Sequence, residues 1–299
     1  MNDMFREDEL IDGALARLRA TGARVVMPEA EEPRIQQAAA RLQDLGLPAP
    51  LSAADAGPVE TYLPHLLRAR PGLKPALALR MLERPLIRAA AMVAAGEGAA
   101  LVAGAEVPTR RVIEAASLAI GPAPGVANPS SFFLMRLPDG RAFVMADCAA
   151  IVAPDAAVLA DIARASAASA QALLGRAEVA LLSFSTLTSG TGPSVETVRA
   201  AAAMLADAPF PVMGPVQADA ALNPAIAAQK GLAGGGTANV LVFPSLDAGN
   251  IAYKLLQELA GAQALGPILQ GFARPVCDLS RGASVDDIVS STILTLALA

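Results

Sequence analysis

Near its C-terminus the chain runs Gly266-Pro267-Ile268-Leu269-Gln270-Gly271-Phe272-Ala273-Arg274-Pro275-Val276-Cys277-Asp278-Leu279-Ser280-Arg281-Gly282. Ser280 and Arg281 stand side by side, a flexible Gly follows, and Asp286 and Asp287 come a few residues on. An Arg guanidinium is a planar fork of donors that suits phosphate oxygens. A carboxylate can act as a base. A hydroxyl can donate to charge that builds on a carbonyl oxygen. Together these groups suit transfer of an acyl group to or from phosphate. The same residues also fit a structural role, because Ser284 with Asp287 three positions later is a capping-box pattern. Capping does not exclude catalysis.

Other candidates lie upstream. Ser183, Ser185 and Thr186 end a predicted strand, where α/β proteins bind ligands. Asn250, after Gly249, opens a predicted helix, whose free N–H groups either attract an anion or are capped by Asn250 itself. Gln217 and Asp219 suit structure as well as catalysis. Gly234-Gly235-Gly236 precedes a strand and lacks the spacing of a phosphate loop, so it reads as a turn. His65 is the sole histidine, which disfavours His-based triads. Cys148 and Cys277 fit no zinc spacing and read as free thiols. No metal site is expected.

Elements must position these groups. Apolar spacing predicts helices over 10–21, 33–46, 81–95, 108–120, 158–174, 195–205 and 250–259. Short apolar runs bounded by Gly or Pro predict strands over 23–28, 99–104, 179–183 and 240–243. Runs at 131–137 and 141–146 flank Pro138-Asp139-Gly140, a hairpin signal. Residues 47–60 are the weakest part of the pattern, with a strand missing or irregular. The order implies a mixed α/β chain with mainly parallel sheets. Gly121-Pro122-Ala123-Pro124-Gly125 is the best linker.

Composition narrows the function classes. The 299 residues are 54% hydrophobic, enough for a large core and two ordinary domains. A net charge of −5 argues against a nucleic-acid partner. The only lysines are Lys74, Lys230 and Lys254, so a phosphate site would rely on Arg. Mean hydropathy is +0.46, but Pro, Gly or charge interrupts apolar runs before membrane-spanning length. The charged opening Met1–Asp8 lacks the apolar core of a signal peptide. A cytoplasmic protein with no membrane partner is expected.

Several blocks, in order, resemble the phosphate acetyltransferases (phosphotransacetylases). The C-terminal run is similar to the family's G-P-x-x-Q-G-x-x-x-P-x-x-D-L-S-R-G. Ala238–Pro244 followed by Ala248–Lys254 resembles its A-N-V-x-x-F-P and G-N-I-x-Y-K. Gly214–Ala221 resembles G-x-x-Q-x-D-A-A, Ser183–Thr186 resembles S-[FY]-S-T, and Pro28–Arg34 resembles P-E-x-E-x-x-R. The family often has Lys-Gly after S-T; here Leu187 and Thr188 follow.

The resemblance implies two α/β domains with a cleft between them, similar to the isocitrate/isopropylmalate dehydrogenase architecture. It places a first domain at 1–124 plus 270–299 and a second at 125–269. It implies reversible acetyl transfer between CoA and phosphate by direct transfer in a ternary complex. Acetyl-CoA, phosphate and acetyl phosphate are then the small-molecule partners, CoA is a substrate, no cofactor is permanently bound, and the protein is a homodimer. Asp287, Ser280 and Arg281 match the family's reacting centre. A free thiol has a pKa of roughly 8.5, so a base such as Asp287 must help deprotonate CoA. Arg68 (or Arg70) and Arg110 (or Arg111) match phosphate-binding positions, and Ser183, Ser185, Thr186 and Asn250 join them as phosphate- or CoA-binding candidates. Three alternatives stand: a butyryl- or propionyltransferase, a non-catalytic acetyl-CoA sensor, and a dehydrogenase. The last lacks a dinucleotide fingerprint.

Overall fold

A computed structural model describes residues 9–232 and 234–299. The opening Met1–Asp8, read above for a signal peptide, lies outside the described residues. The chain divides into two compact units. Unit 1 is the chain up to Ala127 together with Gly271–Ala299, and unit 2 is Asn128–Gln270.

Unit 1 opens with helix α1 (Glu9–Thr21), strand β1 (Val25–Val26), α2 (Pro33–Asp44), α3 (Val59–Ala69), α4 (Pro75–Leu82), α5 (Pro85–Ala95), β2 (Ala100–Ala103) and α6 (Thr109–Ala115). Proline starts α2, α4 and α5, where its missing N–H leaves no bond unmade. Helix α2 turns Ile35, Ala38 and Leu42 inward, one stripe at helical spacing. The single helix expected over 81–95 is two, because the residue before Pro85 is driven to extended backbone (Arg84, ψ 125°). Helix α6 ends early and widens into a π turn over Ala116–Ile120.

The weak segment 47–60 contributes one bridge, Leu51 to Val26, in place of a strand. There Met27 N–H donates to Leu51 O at 2.7 Å and Leu51 N–H to Val25 O at 2.8 Å.

Unit 2 holds β3 (Ser130–Arg136), β4 (Ala142–Ala146), α7 (Ala156–Leu174), β5 (Val179–Leu182), α8 (Pro193–Ala203), β6 (Val212–Val216), α9 (Ala218–Leu222), α10 (Pro224–Gln229), β7 (Val240–Val242), α11 (Leu246–Ala260) and β8 (Gln263–Gln270). Its strands lie in the order β8-β3-β4-β7-β5-β6. The expected hairpin is β3–β4, which is antiparallel, as is β3–β8; the remaining pairs are parallel. Strands β6 and β8 were not foreseen, because Gly214-Pro215 and Gly266-Pro267 interrupt their apolar runs. The unit's core includes Phe133, Met145, Leu241 and Tyr253, with Phe133 stacked on Tyr253 at 4.1 Å.

The chain completes unit 1 with β9 (Val276–Asp278) and α12 (Val285–Leu296). Strands β1, β2 and β9 are parallel, with Val102 beside Cys277 and Ala103 beside Asp278. Strands β2 and β9 therefore end level with each other. The segments that follow them, toward Arg110 and toward Ser280, leave the same carboxyl edge, where α/β folds gather ligands.

Candidate active site

The segment Pro28–Arg34, just beyond β1, organises that edge. One carboxylate, Glu29, accepts four backbone N–H bonds from Gly104, Ala105, Glu106 and Val107 at 2.8–2.9 Å. It fixes the loop that leads from β2 into α6. Glu32 caps α2 by accepting from Ile35 N–H at 2.9 Å, and it pairs with Arg34 at 2.6 Å. Burial pushes the Glu32 carboxyl up, but the Arg34 and Ile35 hydrogen bonds outweigh it and hold the group below the ordinary range.

Arg34 reaches further. Its Nη1 donates to Arg281 O at 2.8 Å and to Ala283 O at 2.9 Å, and its Nη2 donates to Ala105 O at 3.2 Å. One guanidinium thus ties the β2–α6 loop to the turn that carries Ser280 and Arg281. Sequence reasoning quoted this Arg in a motif and gave it no role. Its place after two acids in a strand-to-helix turn was the available signal.

The turn itself is tight. Ala283 N–H donates to Ser280 O at 2.9 Å, and Gly282 N–H donates to Ser280 Oγ at 3.3 Å. The side chains of Ser280 and Arg281 are exposed. Asp287 follows in the first turn of α12, half-buried, within the expected capping box. Its Oδ2 accepts from Ser284 N–H at 3.0 Å and from Ser284 Oγ at 2.8 Å, while Asp287 N–H donates back to Ser284 Oγ at 3.1 Å. Asp286 pairs with Arg41 of α2. The expected centre Ser280, Arg281 and Asp287 therefore sits on one turn–helix junction, anchored from α2 at both ends.

Arg110 is the second residue of α6, exposed and without an ion pair among the described residues. Its rival Arg111 pairs with Glu114 at 2.9 Å. Arg68 lies in the last turn of α3 and lines a hollow of about 400 Å³ with His65, Gly121 and Arg274; Arg70 does not line it. Burial and the neighbouring Arg68 charge push the His65 imidazole below its usual pKa. None of Ser280, Arg281 and Asp287 lines that hollow.

The unit 2 candidates are engaged locally. Ser183 Oγ accepts from Ser185 N–H at 3.2 Å. Ser185 and Thr186 are buried; Ser185 Oγ accepts from Gly190 N–H at 2.8 Å, and Thr186 Oγ1 donates to Gln217 Oε1 at 3.2 Å. Gln217 and Asp219 in turn accept from Lys230. Asn250 does not open a helix. Ser245 caps α11, which begins at Leu246, and Asn250 lies inside it with Nδ2 donating to Cys148 O at 3.1 Å. Gly249 is required there, because a Cβ would stand 2.3 Å from Asp147 O. Both cysteines are buried and free, and burial raises both thiols. No acid or His/Cys cluster among the described residues could hold a metal ion.

The profile of the phosphate acetyl/butaryl transferases matches residues 55–296. The chain belongs to that family. It is 39% identical over 303 residues to a phosphate acetyltransferase of Paracoccus denitrificans, spanning 93% of this chain and 95% of that one. It is 40% identical over 309 residues to one from Nitrosomonas europaea, covering 93% of this chain and 44% of that longer protein. A solved phosphotransacetylase from Streptococcus pyogenes superposes with a TM-score of 0.87 at 31% identity, covering 99% of this chain and 98% of that one. The family profile includes the 280–287 junction, and the superposed fold, covering 99% of this chain, includes the Pro28–Arg34 clamp as well.

Proposed function

We propose that Asp287, Ser280 and Arg281 are the reacting centre of the reversible transfer of an acetyl group between CoA and inorganic phosphate, the reaction of this acyltransferase. The observation that carries the assignment is the double anchoring of one junction, by Arg34 at the Ser280 turn and by Arg41 at Asp286. Catalysis by positioned groups requires that they be held before substrate arrives.

In the direction of acetyl-CoA synthesis, the Asp287 carboxylate takes the proton of the CoA thiol. The thiolate attacks the carbonyl carbon of acetyl phosphate. Negative charge builds on the carbonyl oxygen, and the Ser280 hydroxyl and Arg281 guanidinium donate to it. The C–O bond to phosphate breaks, and phosphate leaves against arginine, with Arg110 as the second cation. The reverse direction uses the same groups. Arg68, with Arg274, holds a phosphate group of CoA in the unit 1 hollow. Ser185 and Thr186 keep their loop closed, with their hydroxyls already engaged, and Ser183 and Asn250 support the segments around them.

The protein acts in the cytoplasm as a homodimer. Two buried free thiols fit a reducing compartment. Ile251, Leu255 and Leu259 are exposed at four-residue spacing along α11, an apolar stripe suited to a second copy. No helix among the described residues is long and apolar enough to cross a membrane.

The test is thiol release from acetyl-CoA with phosphate. Arg281→Ala should lower turnover at least about 100-fold with the fold intact, and near-normal turnover would refute the roles. Release that requires phosphate separates the enzyme from a sensor, and rates with acetyl-, propionyl- and butyryl-CoA fix the acyl preference.

A further inference from the structure

Asp278 ends β9, two residues before Ser280, and it is 1% exposed. Its Oδ1 is buried with no hydrogen-bond partner. That oxygen lies so close over Gly104 that a Cβ there would stand 2.5 Å away. The Thr109 side chain stands beside the carboxyl and favours its charged form, and Thr109 is the first residue of α6, next to Arg110. Leu279 N–H donates to Ala103 O at 2.6 Å, which carries the β2–β9 pairing one residue past Asp278. Asp278 thus stands between the two segments that bring Arg110 and Ser280–Arg281 to the carboxyl edge.

A buried carboxylate with an unsatisfied oxygen is costly, and Asn would fill the same volume without the charge. Such costs persist where function requires them. The cost is visible here. Burial, with the Glu29 charge adding to it against the opposing influence of the Thr109 hydroxyl, raises the Asp278 carboxyl from its ordinary 3.8 to about 6. The groups facing it are Glu29, the Cys277 thiol, which it pushes up, and the Thr109 hydroxyl.

We propose that Asp278 is a positioning residue of the transfer reaction, fastening the Arg110 helix start to the Ser280–Arg281 turn through Thr109 and so setting the geometry that receives phosphate. The proposal rests on the assignment of Arg110, Ser280 and Arg281 made above. The sign of its pH linkage follows from the raised folded value. The folded state binds the Asp278 proton more tightly than the unfolded chain, so this group's contribution to stability falls as pH rises from about 4 to about 6.

The experiment compares the intact protein with Asp278→Asn, Thr109→Val and the double variant, using acetyl-CoA and inorganic phosphate. Asp278→Asn should unfold at a higher temperature than wild type at pH 8, yet its KM for phosphate should rise about tenfold with the KM for acetyl-CoA little changed. Its profile of kcat/KM for phosphate should lose an inflection near pH 6 that wild type has. Thr109→Val should show the same split, and the double variant should be no worse than the poorer single one. Asp278→Asn with both KM values and the pH profile superimposable on wild type overturns the proposal. Should Asp278→Asn fail to fold, Thr109→Val decides alone, and an unchanged phosphate KM and profile overturns it. Arg281→Ala run in parallel separates the two levels: if that variant stays active, the assignment of the reacting centre fails; if it is inactive while Asp278→Asn is normal, only the positioning role fails.

Discussion

The two units hold their loops by the same device and then use it differently. In unit 1, Glu29 just past β1 accepts four backbone N–H bonds from residues 104–107. In unit 2, Asp147 just past β4 is 2% exposed and accepts from Ala149, Ala150 and Ile151 N–H at 2.9–3.0 Å and from the Ser131 hydroxyl. Each carboxylate replaces water as acceptor for a loop that must sit still. Beyond that the units diverge. Arg141, Arg164, Arg176, Arg199 and Lys230 of unit 2 are each in an ion pair, and Lys254 lies 5.0 Å over the Tyr253 ring. In unit 1, Arg68, Arg110, Arg274 and Arg281 carry no ion pair among the described residues, and Asp278 keeps an unsatisfied oxygen. Cations without an ion pair are what an anionic substrate needs. The lesson is that Glu29 and Asp147, spent on backbone N–H groups, mark the frame, and unpaired arginines mark where an anion can be held.

The largest effect should come from the junction. Asp287→Ala removes both a cap and the proposed base, so turnover should fall at least about 100-fold. Ser284→Ala removes the same cap and leaves the carboxylate. It should cost roughly 1 kcal/mol of stability and little turnover, measured by thermal unfolding and thiol release. Equal losses of turnover in the two variants would reduce Asp287 to a cap.

Next comes the clamp. Arg34→Ala leaves the carbonyls of Arg281 and Ala283 without their donor. A loosened turn should lower kcat about tenfold with the far-UV circular dichroism spectrum unchanged. Full activity would remove the clamp from the mechanism.

A smaller contrast separates neighbours on α6. Arg110→Ala should raise the KM for phosphate by about tenfold, whereas Arg111→Ala, which breaks only an exposed ion pair, should change it less than about twofold. The reverse order would reassign the cation.

The smallest catalytic effect belongs to unit 2. Ser185→Ala strips the loop 185–190 of a buried hydroxyl that accepts from Gly190 N–H and donates to its carbonyl. It should cost about 1–3 kcal/mol in stability while kcat stays within about twofold. A collapse of kcat in a folded variant would break the division into frame and chemistry.

Much of this was legible in the residues. The Ser284–Asp287 capping box, the β3–β4 hairpin and the missing or irregular strand at 47–60 were read from local rules, and the structure shows the box, the hairpin and a lone bridge in that strand's place. Three features were not legible. Strands β6 and β8 contain Gly-Pro pairs that locally argue against a strand, and sheet partners on neighbouring chain segments override that preference. The start of α11 was misplaced onto Asn250 because the Ser245 cap lies upstream, and Gly249 inside the helix is a close-packing requirement against Asp147. The role of Arg34 depends on acceptors nearly 250 positions away, which no local pattern encodes.

The amino-acid order alone determined the mixed α/β class, the capping box at Ser284 and the residue types now proposed as the reacting centre. The class and the cap follow from neighbours in the chain, through periodicity and side-chain chemistry, and the role of Ser280, Arg281 and Asp287 was read from the family resemblance. Only the tertiary structure decided which cations stay unpaired, which acid is spent on a cap or a loop, and that β2 and β9 end level so that Arg110 and Ser280 leave one edge. Pairing and desolvation are set by groups distant in sequence, and their energies exist only once the chain has closed on itself.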